Sequence, residues 1–204
     1  EALSGVLGKV DADNNQGERY LTRVFSILSA AGATVSAIPH VDAAELHGVN
    51  SRVELARAEA FLRHRKLTCL MESGVTVRDP ATTYVDVDVS VGADSTLYPG
   101  TILEGSTVVG TGCVIHSGVR VTDSQIGNHV TILDGTIVEE SSVDAEATLG
   151  PYARLRPGSE IGRGVKIGNF VETKASRLGA GSKAGHLTYL GDAHIGENVN
   201  IGAG

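Results

Sequence analysis

Arg156 and Lys174 stand eighteen residues apart, and His186 and Tyr189 follow within the next fifteen. Arginine presents a planar fork of donors and lysine a compact point charge, a pair that suits a phosphate. Held side by side, two such cations repel unless an anion lies between them. Histidine can take a proton from an amine or hydroxyl near neutral pH. Together the four residues describe an anion clamp beside a general base. The bland alternative is a solvated basic face with an exposed histidine on it. The surrounding window sharpens the question. Between 154 and 183 lie seven basic residues (Arg154, Arg156, Arg163, Lys166, Lys174, Arg177, Lys183) against two acids, Glu160 and Glu172, in a chain of net charge −7. That acidic balance, with a pI near 5.5, argues against a general nucleic-acid binder.

The elements that must position these residues follow from a period of six. An aliphatic residue returns at 85, 91, 97, 103, 109, 115, 121, 126, 132, 138, 143, 149, 155, 161, 167, 173, 178, 184, 190, 195 and 201, and only Thr173 and Ala184 depart from Val, Ile or Leu. A small or β-branched residue comes four positions later in most hexads, and Gly often follows the aliphatic directly. Such hexapeptides mark a parallel β-helix, three hexads to a triangular coil. Coils are spaced by about 4.8 Å, the ordinary strand separation. The period places Arg156 and Lys174 on one face, one coil apart, with Tyr189 at the corner beside Lys174 and His186 on the face that ends there. Both departures from the aliphatic rule adjoin these residues, and local rules tend to break at functional sites.

Upstream of the repeat the pattern is mixed α/β. "GERYLTRVFSILSAAG" reads as a helix with an apolar stripe of Tyr20, Leu21, Val24, Phe25 and Leu28 and a stop at Gly32. "ATVSAI" alternates like a strand. A second helix is expected from Ser51 to about Lys66, on a stripe of Val53, Ala56, Ala60 and Phe61. Residues 67–84 read as a transition. Cys69 and Cys113 form no zinc motif and are expected as reduced thiols of a cytoplasmic protein. The other histidines give no trio for a metal site. No apolar run is long enough to span a membrane.

At this point the segment "GPYARLRPGSEIGRGVKIGNFVETKASRLGAGSKAGHLTYLGDAHIGENVNIGAG" (150–204) resembles the acetyltransferase domain of the bacterial bifunctional N-acetylglucosamine-1-phosphate uridyltransferase/glucosamine-1-phosphate N-acetyltransferase family. "NNQGERYLTR" and "GVNSRVELARAE" resemble the end of that family's uridyltransferase domain and its linking helix. The resemblance implies a mainly β fold: a left-handed parallel β-helix over 67–204, preceded by a uridyltransferase remnant over 1–49 and a linking helix over 50–66. It implies acetyl transfer from acetyl-CoA to the amine of glucosamine 1-phosphate, in a parent enzyme that then makes UDP-N-acetylglucosamine from UTP with Mg²⁺ for cell-wall synthesis. In that light Arg156 and Lys174 would bind the sugar phosphate, His186 would be the base, and Tyr189 and Asn200 would position the sugar. Ala203 would touch acetyl-CoA, and Asn50 would be a ligand of Mg²⁺ at the uridyltransferase site. A homotrimer is expected, since a triangular prism offers flat, repeated faces and the family is trimeric; the acidic balance and the lack of an apolar span argue against nucleic-acid and membrane partners.

The chain also departs from the family. Arg23 replaces the usual Asp after "YLT", most of the nucleotide-binding sheet is missing, and the last coils and C-terminal arm are absent. The expectation is a fragment of weak or no activity, with a non-catalytic trimerising β-helix as the alternative. An acetyltransferase for an acceptor without phosphate is disfavoured by the Arg156/Lys174 pair.

Overall fold

The computed structural model describes residues 2–12 and 15–202. The chain divides into two compact units, one running to His47 and one from Gly48 onward.

In the first unit, α1 (Ala2–Leu7) and α2 (Arg23–Ala30) bury Val6, Val10 and Val24 together. The helix expected over 17–32 is thus confined to its second half, where Gly32 at φ +79 stops it. Phe25 and Leu21 of its expected stripe stay exposed. "ATVSAI" forms no strand, because no neighbouring segment offers it a ladder of hydrogen bonds.

In the second unit, α3 spans Arg52–Glu72. Ser51 caps it by accepting from the Glu54 N–H at 3.2 Å, while the Glu54 carboxylate accepts from the Asn50 N–H and the Ser51 hydroxyl. The helix runs six residues beyond the expected Lys66. Nothing in "LTCLME" breaks a helix, and Gly74, at φ +96, is where the chain turns. The expected stripe is not the buried one: Val53 is exposed, whereas Leu67 and Leu70 enter the core of the following repeat. The Lys66 ammonium closes the junction by donating to the Val87 and Val89 carbonyls at 2.9 and 2.6 Å.

From Thr76 the chain winds as a parallel solenoid. Its strands stack into three sheets, of eight, seven and seven strands. The first face begins with Thr76–Val77 and ends with Asn200–Ile201. The second runs from Tyr84–Val85 to Tyr189–Gly191, and the third from Ser90–Val91 to His194–Ile195. All ladders are parallel and strictly in register, so each repeat position lies over its counterpart one coil below. The aliphatic residues of each hexad point inward: Leu97, Ile115, Ile132, Leu149, Ile167 and Leu155 are all buried to 1% exposure or less. The residue four positions on fills the corner of the prism, as at Ser95, Thr101, Cys113 and Val119. Inside this apolar column the corner hydroxyls need partners. Thr101 finds the Tyr98 carbonyl (2.8 Å) and Thr107 that of Glu104 (2.7 Å), whereas the Thr136 hydroxyl is left without a partner among the described residues. Strand order and register establish the parallel solenoid without specifying its hand.

Candidate active site

Arg156 and Lys174 belong to the second face. Leu155 is in register with Thr173, and the Arg156 N–H donates to the Thr173 carbonyl, so the two cations follow in one column, one coil apart, as the spacing predicts. The column continues to Gly191, which is in register with Lys174. Tyr189 sits two positions earlier on the same strand, over Glu172. Its ring lies across Gly191: a Cβ there would stand 2.6 Å from the tyrosine hydroxyl. The glycine therefore makes room for Tyr189 to lie above the cation column.

Glu172 is the member that spacing did not single out. Its carboxylate meets the Arg156 guanidinium at 3.0 Å, with both side chains more than a third exposed. This is one of a series of inter-coil bridges: Arg120 to Glu104, Arg154 to Glu139, Arg163 to Glu146, Arg177 to Glu160. The Arg163 guanidinium holds the Glu146 carboxyl below its ordinary value. All four arginines of the basic window are thus balanced by a glutamate fifteen to seventeen residues away. A glutamate at that offset was the readable signal. Lys166, Lys174 and Lys183 form no such pair among the described residues, so the uncompensated charge in the Arg156/Lys174 column is that of Lys174.

His186 ends the strand Lys183–His186 on the first face, directly over Asn169. Asn169 is half-buried and its amide donates to the Pro151 carbonyl at 3.3 Å, one coil lower. The chain then turns the corner at Leu187, at φ +48, and enters the second face at Tyr189. The Thr188 hydroxyl braces this turn by donating to the His186 carbonyl at 2.8 Å. His186 is exposed. The imidazole and the Lys174/Tyr189 column therefore flank one corner of the prism.

The two exceptions to the aliphatic rule have a different origin from the one expected. Thr173 is wholly buried, and its hydroxyl lies 2.8 Å from that of Ser159, which in turn donates to the Arg156 carbonyl at 2.7 Å. Ala184 is also wholly buried, between Ile167 below and Ile201 above. Both are core residues that support the site from inside; neither faces a ligand.

The remaining candidates lie apart. Asn200 shares the first face with His186 but is in register with Lys183, three positions from the histidine along the strand, about 10 Å at the rise of a β-strand. Ala203 falls outside the described residues. Asn50 stands at the start of α3, at the opposite end of the prism, and no group of three His, Cys, Asp or Glu among the described residues could hold a metal ion. No helix among them is long and apolar enough to cross a membrane.

No protein-family model matches the chain. Among curated proteins it is 48% identical over 202 residues to the "Bifunctional protein GlmU" of Carboxydothermus hydrogenoformans, across 99% of this chain and 45% of that protein. It is 48% identical over 204 residues to the GlmU protein of Trichlorobacter lovleyi, across 100% and 44%. The GlmU protein of Clostridioides difficile is 45% identical over 204 residues, across 100% and 44%. The chain thus spans a little under half the length of these relatives. Among solved structures, a mutant GDP-perosamine N-acetyl transferase from Caulobacter crescentus, in complex with CoA and GDP-perosamine, aligns over 86% of this chain and 85% of its own at 20% identity and a TM-score of 0.46.

Proposed function

We infer that this chain, which belongs with the bifunctional GlmU proteins over the portion of them that it spans, carries an acetyl-transfer site: the acetyl group of acetyl-CoA passes to the amine of glucosamine 1-phosphate. The observation that carries this reading is the convergence, at one corner of the solenoid, of a free lysine, an arginine and a tyrosine ring on one side and an exposed histidine on the other. The phosphate sits over Lys174 and draws the Arg156 guanidinium toward it, in competition with Glu172. Tyr189 packs against the sugar. The amine then faces His186 across the corner. As the nitrogen attacks the thioester carbonyl, its bond to carbon forms, the carbon–sulfur bond breaks and the thiolate of CoA leaves. The imidazole takes the proton that the nitrogen loses.

Of the uridyl-transfer and Mg²⁺ chemistry that the family resemblance implies, the described residues supply Asn50 alone. They do not fit a magnesium site, and no step is routed through one. A homotrimer has its own support. Tyr152, Phe170 and Leu187, exposed at 56, 59 and 66%, form an apolar ladder up the corner beside His186, with the two aromatic rings stacked at 6.0 Å. Such a strip is the kind of surface that a second copy covers. It would be checked by light scattering on wild type and Leu187→Glu.

The catalytic reading is tested with the full-length protein, acetyl-CoA and glucosamine 1-phosphate. His186→Ala is expected to lose at least about 100-fold in turnover, the scale of a general base. Lys174→Ala is expected to raise the KM for the sugar phosphate and to leave that for acetyl-CoA nearly unchanged. Full activity in His186→Ala would remove the base from the mechanism.

A further inference from the structure

The corner beneath His186 is closed by hydrogen bonds that run from coil to coil. In the lower coils the carbonyls of Pro99, Ser117 and Asp134 accept from the backbone N–H of Gly118, Gly135 and Tyr152, each one coil up. At the top of the same column the Asn169 backbone carbonyl accepts from the Leu187 N–H at 3.0 Å. The step between them differs. The Pro151 carbonyl is met at 3.3 Å by the side-chain amide of Asn169. Here a side chain takes the place that a backbone N–H holds at the other steps.

A planar amide has two ends of opposite character. A carbonyl can only accept, so the bond to Pro151 fixes the Asn169 Nδ2 as the end that points down. The Oδ1 is left on the other side of the amide, where it can only accept. His186 is in register with Asn169, one strand spacing above, about 4.8 Å. At that distance the Oδ1 is within reach of a ring nitrogen of the side chain above it. The His186 ring itself makes no hydrogen bond or ion pair among the described residues. The titratable groups around it are Lys166 and Lys183 on the first face, and Lys174, Tyr189 and Glu172 across the corner, the glutamate engaged by Arg156. None of the described carboxylates touches the imidazole, so its orientation falls to a neutral group.

We propose that Asn169 is the positioning residue of His186: held on Pro151 by its Nδ2, it accepts the imidazole Nδ1–H on its Oδ1 and so presents Nε2, unprotonated, to the acceptor amine. The inference rests on the acetyl-transfer reading above. As the amine nitrogen bonds to the thioester carbon and the carbon–sulfur bond breaks, Nε2 takes the proton that the nitrogen loses and passes it to the departing thiolate. Asn169 stays neutral throughout and moves no proton. It fixes the tautomer and the plane of the ring, the task that a carboxylate performs in a Ser-His-Asp triad. Aspartate would not serve both ends, because it has no donor for the Pro151 carbonyl.

The test uses the full-length protein with acetyl-CoA and glucosamine 1-phosphate, and reads kcat as a function of pH. Asn169→Ala is expected to lower kcat by about 10-fold or more, the scale on which the outer partners of functional histidines act, with each KM within about twofold of wild type. Asn169→Asp keeps an acceptor beneath the ring. It is expected to recover most of that loss at alkaline pH, and to move the acid limb of the profile up by about one pH unit, because a nearby carboxylate favours the charged imidazole. Should the alanine variant fail to fold, the aspartate profile carries the test by itself. A wild-type kcat in Asn169→Ala overturns the proposal. So does a loss confined to the KM for the sugar phosphate, or an Asn169→Asp profile whose acid limb stays in place. Beside an inactive His186→Ala, any of these results removes the proposal alone. Full activity in His186→Ala removes the base and this inference with it.

Discussion

Two threonines in the core show how much one hydroxyl depends on its surroundings. Thr173 occupies a position that the repeat reserves for an aliphatic, and its hydroxyl is satisfied by Ser159. The Ser159 proton is already committed to the Arg156 carbonyl, so Thr173 donates and Ser159 accepts. Thr173→Val leaves Ser159 bonded and is expected to cost about 1 kcal/mol in urea unfolding, the value of one net hydrogen bond. Thr136 is the opposite case: among the described residues its buried hydroxyl has no partner. Thr136→Val removes an unsatisfied group with little change of shape, and is expected to raise stability by about 1 kcal/mol in the same measurement. The thiols divide in a similar way. Cys69 is exposed, while burial pushes the Cys113 thiol above its ordinary value. A disulfide reagent at pH 8 should therefore titrate one thiol in the native protein and two after denaturation. The placement of Arg156 and Lys174 in one column, with His186 at the neighbouring corner, is legible as residue types at a period. That Thr173 and Ala184 serve the core is not, because their partners, Ser159 and Ile201, become neighbours only when the coil is wound.

At the scale of elements, α3 does more than connect. Its last two turns lay Leu67 and Leu70 over Val75, Val85 and Val89, so the helix closes the lower end of the prism as a capping repeat does in other solenoids. Leu67 is wholly buried. Leu67→Ala is expected to cost about 2–5 kcal/mol, with hydrogen exchange accelerated first in the coil of Thr76–Val91 and least in the coils around His186. Uniform acceleration along the whole stack would show that the helix is not a local cap. This boundary was hard to read in advance. The apolar residues that matter follow the register of the solenoid, not a stripe along the helix, so Leu67 and Leu70 are buried while Val53 is exposed. Strands were far more legible, since a six-residue phase maintained from 85 to 201 has few other physical realisations.

For the whole molecule, the strict register makes coils interchangeable units. Val108 pairs with Gln125 and Val109 with Ile126. Excision of 109–125 should therefore join equivalent positions and shorten the prism by one coil, leaving every contact from Arg154 to Tyr189 in place. The expected result is a folded protein, by circular dichroism, with the wild-type affinity for glucosamine 1-phosphate. Excision of 109–124 instead leaves one residue too many and throws each later side chain off its face. It should fail to fold. A one-coil deletion that lost sugar-phosphate binding while staying folded would mean that the site depends on more than its own storeys.

The cap at α3 and the site at His186 are thus the two marks on a graduated scale. Each coil inserted between them moves the His186 corner by about 4.8 Å along the axis and by no other amount. Distance in this protein is counted, not adjusted, and the corner at His186 can lie nearer to or farther from the helix only by whole steps.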